Sequence, residues 1–207
     1  EYAFAYNLLG ECYYSMEDYK QAELNYQKAI DFDETYDEAL FNLGFVLNSL
    51  DKYAKAIPYL KRAKQLDPDH MGAHFELGKA YLEEDKVKKA IKELQIVADN
   101  SPDDYPLAFF KLGYGYSHID ENEKAAHYYQ KYIELDPEEE IAYNNLGAAY
   151  MNMGKNNEAI VELEKAIAVN PEYALAYENI GTAYGNLGKN RRAKKYHAKA
   201  AQLDGED

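Results

Sequence analysis

The residues with reactive potential are few, and their spacing limits what they can do. His70 and His74 stand four apart, so on a helix they would share a face, as a zinc site requires. No third ligand stands nearby, and His74 falls in a column of packing aromatics, which points to a core histidine. Cys12 is the single cysteine, so no intrachain disulfide forms; beside Tyr13 it reads as a small, covered hydrophobe rather than a reactive thiol. Its isolation fits a reducing compartment and a cytoplasmic placement, with a periplasmic one left open. Carboxylates are plentiful, yet Glu138, Glu139 and Glu140 precede a helix start, where acidic groups complement the positive end of the helix dipole. The chain holds no phosphate-binding glycine loop, dinucleotide fingerprint, His-Glu-x-x-His pair or nucleophile elbow. The expectation is a non-enzyme without cofactor or metal.

What positions these residues is a chain of 207 residues, 47% hydrophobic and 29% charged, enough to fold around a sizeable core. Acids outnumber bases 37 to 23, for a net charge of −14. That balance lacks the basic footprint of a nucleic-acid binder and the polybasic patch of a membrane-surface protein. No run approaches the roughly 18 apolar residues a membrane span needs, and no charged-then-apolar leader precedes Glu1. Tyrosine is abundant at 22 while tryptophan is absent, a skew that needs a structural reason.

The reason is a repeat. Glycines recur at Gly10, Gly44, Gly78, Gly113, Gly147 and Gly181, at intervals of 34, 34, 35, 34 and 34. Alanines keep the same intervals at 22, 56, 90, 125, 159 and 193. Three residues after each glycine comes Tyr13, Leu47, Tyr81, Tyr116, Tyr150 or Tyr184, and Pro68, Pro102, Pro137 and Pro171 close four of the units.

Each unit reads as two helices. Tyr143, Leu146, Tyr150 and Met153 recur at three- and four-residue steps, the period of one buried helical face. Gly154 and Gly188 then suit a left-handed, helix-terminating conformation, where the other units carry Glu17, Asp51, Asp85 or Asp120. A second periodic stretch ends at proline, which cannot continue a helix. Interior glycine costs a helix about 0.5–1 kcal/mol against alanine, so its use in one column implies a steric demand. The expectation is that glycine faces alanine, as Gly147 near Ala159, where two helices cross closely. Tyrosine would fill the larger gaps, its hydroxyl reaching solvent.

Tyr143, Leu146, Gly147, Tyr150, Ala159, Leu163, Ala166 and Pro171 carry a pattern that resembles the tetratricopeptide repeat. The resemblance covers essentially the whole chain and implies a single all-α repeat domain, a right-handed superhelical solenoid of six antiparallel helix pairs. The units run approximately over 3–36, 37–70, 71–105, 106–139, 140–173 and 174–207, with one inserted residue near Tyr105. Departures are few: Glu34 and Gly205 stand where proline is usual, Val97 and Tyr132 replace a small residue, and His74 and His197 occupy aromatic columns. The units leave no stretch of this sequence for a catalytic domain. Because the chain begins without methionine, it is expected to be a fragment with neighbouring repeats missing.

In such repeats the first helix of each pair lines a concave wall, and residues beside the Leu-Gly pair face it. One such column reads Leu8, Asn42, Glu76, Lys111, Asn145 and Asn179. An asparagine amide both donates to and accepts from one peptide unit. The resemblance therefore assigns Asn42, Asn145 and Asn179 to gripping an extended peptide, with ordinary solvated asparagine as the alternative. The preceding column reads Asn7, Phe41, Phe75, Phe110, Asn144 and Glu178. With Phe45 and Tyr114 one turn later it would give an apolar stretch for anchor residues, or simply interhelix packing. Asn144, Lys79 and Lys111 complete the candidate groove.

Charge in the groove is mixed, with Glu11, Glu38, Glu76 and Glu83 against Lys79 and Lys111. The basic clamp by which some relatives hold chaperone C-terminal acidic tails is absent in every three-unit frame, so such tails are not expected partners. The main expectation is a non-catalytic scaffold binding a peptide segment of a partner protein. A second is a self-assembling homo-oligomer joined through its terminal repeats. Residues 189–203 carry +6, which leaves −20 on the rest and invites head-to-tail contact. A third is the substrate-recognition arm of a larger enzyme.

Overall fold

Every apolar column of the repeat falls on a helix. The computed structural model describes residues 1–205; Glu206 and Asp207, the end of the sixth expected unit, lie outside the described residues. Packing divides the chain into two compact units, Glu1–Tyr105 and Pro106–Asp207, and the boundary falls at the inserted residue of the repeat.

The first unit contains α1 (Tyr2–Ser15), α2 (Tyr19–Phe32), α3 (Asp37–Ser49), α4 (Tyr53–Leu66), α5 (Met71–Glu83) and α6 (Val87–Asn100). The second contains α7 (Leu107–His118), α8 (Asn122–Leu135), α9 (Glu140–Asn152), α10 (Asn156–Val169), α11 (Ala174–Asn186) and α12 (Asn190–Asp204). Within each unit consecutive helices pair, and each pair packs on the next. The fold is all-α, built of helix-pair repeats, with no strand among the described residues.

All six turns inside the pairs use one device. The second residue after the helix adopts positive φ at Glu17, Asp51, Asp85, Asp120, Gly154 and Gly188. The next amide then reaches back across it, as Lys52 N to Leu47 O at 2.8 Å and Lys155 N to Tyr150 O at 2.8 Å. This is the Schellman closure, which satisfies carbonyls left open at a helix end. The four acidic residues thus occupy the same left-handed conformation as the two glycines.

The glycine column differs from the expected glycine-on-alanine crossing. A Cβ on Gly147 would lie 2.6 Å from Leu163 Cγ and 3.3 Å from the Ala159 carbonyl oxygen. The large side chain is likewise the nearest neighbour at Gly10 under Tyr26, Gly44 under Leu60, Gly78 under Leu94, Gly113 under Tyr129 and Gly181 under His197. Glycine is therefore a socket for the large residue one helical turn beyond the alanine. The alanines are fully buried in the first five units, and so are Leu60, Leu94 and Leu163. Knob and socket must be adjusted together, which explains why both columns keep the repeat interval.

Tyrosines fill the remaining gaps as expected, with polar tips partnered at the edges. Tyr132 donates to Asp136 at 3.1 Å and Tyr53 to Asp51 at 2.7 Å, while Tyr150 accepts from Gln130 at 2.8 Å. Cys12 departs from its expectation, for its thiol is exposed on α1. No helix among the described residues is long and apolar enough to cross a membrane.

Candidate functional site

Asn7, Glu11 and Tyr14 follow at four- and three-residue steps along α1, and Glu38, Phe41, Asn42 and Phe45 do the same along α3. Helical periodicity aims each set at a common side. Apart from the buried Asn7, these residues and Tyr26 from α2 line a recess of about 420 Å³ in the first unit. Its apolar walls are half-buried aromatic rings. Tyr14 and Phe45 stand 5.5 Å apart between centroids and tilted by 56°, and Phe41 and Phe45 stand 6.0 Å apart at 32°. Phe41 also meets the ring of His70 at 4.4 Å.

The polar groups of the recess have definite partners. Asn42 Nδ2 donates to Asn7 Oδ1 at 3.1 Å, and Asn7 Nδ2 donates to Glu11 Oε1 at 2.8 Å. Glu38 accepts from the Tyr36 hydroxyl at 2.9 Å. Burial, followed by the nearby Glu11, Tyr14 and Glu38, pushes the Tyr26 hydroxyl well above the usual tyrosine range, so it stays protonated.

The other candidates of this unit lie further along α5. Phe75 packs on Tyr105 at 5.4 Å, and Lys79 lies 3.8 Å from Glu76. Glu76 is itself buried and accepts from Asn48 Nδ2 at 2.8 Å.

In the second unit the candidates occupy α7, α9 and α11. Phe110 meets Tyr129 and Tyr132 edge-on, at 5.6 and 5.4 Å. Lys111 is half-buried beside it, whereas Tyr114 is exposed and contacts His118. Asn144 is buried at 3% exposure and accepts from Asn179 Nδ2 at 2.8 Å. Asn145 accepts a long hydrogen bond from Asn144 and also hydrogen-bonds the Tyr129 hydroxyl.

Sequence reasoning did not single out Tyr14. The signal was its seven-residue step from Asn7, which puts it on the face that carries Glu11. His70 and His74 are separated in role. His70 Nδ1 caps α5 by accepting from Ala73 N at 3.1 Å. His74 is buried, with Nδ1 2.7 Å from Glu93 Oε2 and Nε2 3.0 Å from the Pro68 carbonyl. Lys64 reaches the other Glu93 oxygen at 2.7 Å. The described residues hold no group of three or more metal-ligating side chains.

A larger cavity of about 810 Å³ lies between α2 and α4, floored by Leu43 and Leu47 and walled by Leu24, Pro58 and Tyr59. It contains none of the candidate residues, and its polar groups are mostly long side chains such as Lys20, Lys55 and Gln27. The smaller recess has the more specific arrangement of polar groups.

The helix-pair architecture recurs in known proteins. Two crystal structures of MamA are 29% identical to this chain. One aligns over 79% of this chain and 95% of its own with a TM-score of 0.74. Another aligns over 84% and 93% with a TM-score of 0.77. The structure of YrrB, a TPR protein with an unusual peptide-binding site, is 23% identical over 86% of this chain and 91% of its own, with a TM-score of 0.74. No curated protein sequence matches. A family model described as TPR repeat matches residues 149–188. Models described as tetratricopeptide repeat match 3–36, 25–57, 47–109, 107–139, 128–161 and 174–207. With matches running from residue 3 to the end and six sockets and six left-handed closures in register, the chain belongs to the tetratricopeptide repeat family.

Proposed function

We propose that the protein is a non-catalytic interaction scaffold that holds a peptide segment of a partner protein against the first helices of its repeats. The observation that carries this reading is the recess of the first unit, where half-buried rings of Tyr14, Phe41 and Phe45 stand beside the Asn42 amide. Aromatic walls with one adaptable amide suit a peptide, whose side chain fills the recess while its backbone meets the amide. Asn145 and Asn179 in the second unit offer the same chemistry. The likeness of fold to YrrB, a TPR protein with a peptide-binding site, supports the reading.

The test is capture of partners from the native host, followed by a peptide array covering each captured sequence. Phe75→Ala and Asn145→Ala should each weaken array binding by about tenfold, with thermal melts confirming that the variants fold. Binding unchanged in both variants overturns the reading.

A second reading, a self-assembling scaffold, is favoured by the end faces. Helix α1 exposes Tyr2 and Phe4 at 72% and 57%, together with Leu8 and Leu9. The exposed bases of α12 include Arg191, Arg192, Lys194 and Lys195, with Lys189 just before it. Light scattering that stays monomeric at high concentration and low salt removes this reading.

A further inference from the structure

We propose that the recess between α1 and α3 receives a cationic side chain, lysine or arginine, so that the partner peptide is basic at this point. The proposal rests on the groove reading above and gives it a charge.

The first support is uncompensated carboxylate. Glu11 and Glu38 both border the recess, one from each helix. Their hydrogen-bond partners are neutral: the Asn7 amide for Glu11 and the Tyr36 hydroxyl for Glu38. Among the described residues neither forms an ion pair with a lysine or arginine. By contrast, Glu23, Glu93 and Glu162 each hold a lysine within 3 Å. Lys79 on neighbouring α5 is turned to Glu76, and His70, which packs on Phe41, does not line the recess. Two negative charges therefore border an opening whose lining residues include no base.

The second support is the wall. Tyr14 and Phe41 are each tilted against Phe45, and all three rings line the space. A ring face attracts a cation and repels an anion, and the attraction grows when the cation leaves bulk water. The same chain already places lysines over rings, as Lys28 over Tyr6 at 5.3 Å and Lys124 over Tyr116 at 5.0 Å. An aliphatic side chain would use the rings and leave the carboxylates idle. An acidic one would face repulsion from both. A long side chain with a charged head uses both features, its stem against the rings and its head at the rim. The high-lying titration of Tyr26 reflects the same negative surroundings after burial.

The test uses end-blocked heptapeptides Gly-Ser-Ala-X-Ala-Ser-Gly, with X arginine, lysine, citrulline or glutamate, titrated into the full chain while the aromatic resonances of Tyr14 and Phe45 are followed by NMR. Citrulline keeps the shape of arginine without its charge. The arginine and lysine peptides are expected to shift these resonances and to bind about tenfold tighter than the citrulline peptide, with the advantage shrinking as salt rises. The double variant Glu11→Gln/Glu38→Gln, whose helicity is checked by circular dichroism, should lose that preference. Equal binding of arginine and citrulline peptides, or a preference that survives in the double variant, overturns the proposal while leaving the groove reading intact. Absence of binding by the arginine and lysine peptides also overturns it. If the partner capture above then still responds to Phe75→Ala and Asn145→Ala, only the cationic assignment has fallen; if it does not, both have.

Discussion

Asn179 donates its side-chain amide to Asn144 Oδ1 at 2.8 Å, joining the first helices of the last two repeats through residues proposed above for the peptide groove. Asn42 and Asn7 repeat the arrangement in the first unit at 3.1 Å. One rung consumes one N–H of Asn179 or Asn42 and leaves the second N–H and the carbonyl oxygen. Each asparagine can therefore brace its neighbour and still meet a peptide unit, held in one orientation by the brace.

Removing the brace should cost stability before it costs contact. In Asn144→Ala the Asn179 amide loses its acceptor, and the buried position loses a satisfied polar group. The expected loss is about 1 kcal/mol in urea denaturation. A double-mutant cycle with Asn179→Ala should return a coupling of about 0.5–1.5 kcal/mol. A coupling near zero would show that the rung carries no energy.

The socket predicts an outcome opposite to helix propensity. Gly147→Ala would gain about 0.5–1 kcal/mol as a helix residue, but its Cβ would sit 2.6 Å from Leu163 Cγ. Overpacking of this kind costs about 1–3 kcal/mol, so the variant should be destabilised by about 1–2 kcal/mol and melt several degrees lower. Truncating the knob together with the socket, as Gly147→Ala/Leu163→Ala, should be less unstable than the sum of the single changes. Additivity measured by denaturation would contradict the contact.

Glu93 gives the protein a defined acid sensitivity. Burial by itself would raise its pKa; the hydrogen bonds and charges of His74 and Lys64 outweigh that and hold the carboxyl below the usual range. A group with a depressed folded pKa contributes stability that is complete above its unfolded value, about 4.3, and lost as pH falls through the folded one. Denaturation between pH 6 and pH 3 should show this loss, and Glu93→Gln should flatten that part of the profile. At pH 7 the same variant leaves His74 and the partly exposed Lys64 without their anion, for a cost of about 3 kcal/mol. An unchanged acid limb would refute the linkage.

The sequence by itself determined the repeat, its phase and its helices. Periodicity in Gly147, Tyr150 and Ala159 is a property of the chain, and a buried stripe with a 3.6-residue period has one economical solution. It also exposed the six closures, because Glu17, Asp51, Asp85 and Asp120 stand in register with Gly154 and Gly188. Periodicity could not say which residue fills the space glycine leaves, since Ala159 and Leu163 lie one turn apart on the same face; only the helix crossing made Leu163 the knob. Nor could it pair groups between helices. Glu93 stands 19 residues from His74, and Asn144 stands 35 from Asn179, distances at which no local rule operates. The recess is of this kind: Glu11 and Tyr14 on one helix, Glu38, Phe41 and Phe45 on another, become one surface only where tertiary packing sets α1 beside α3.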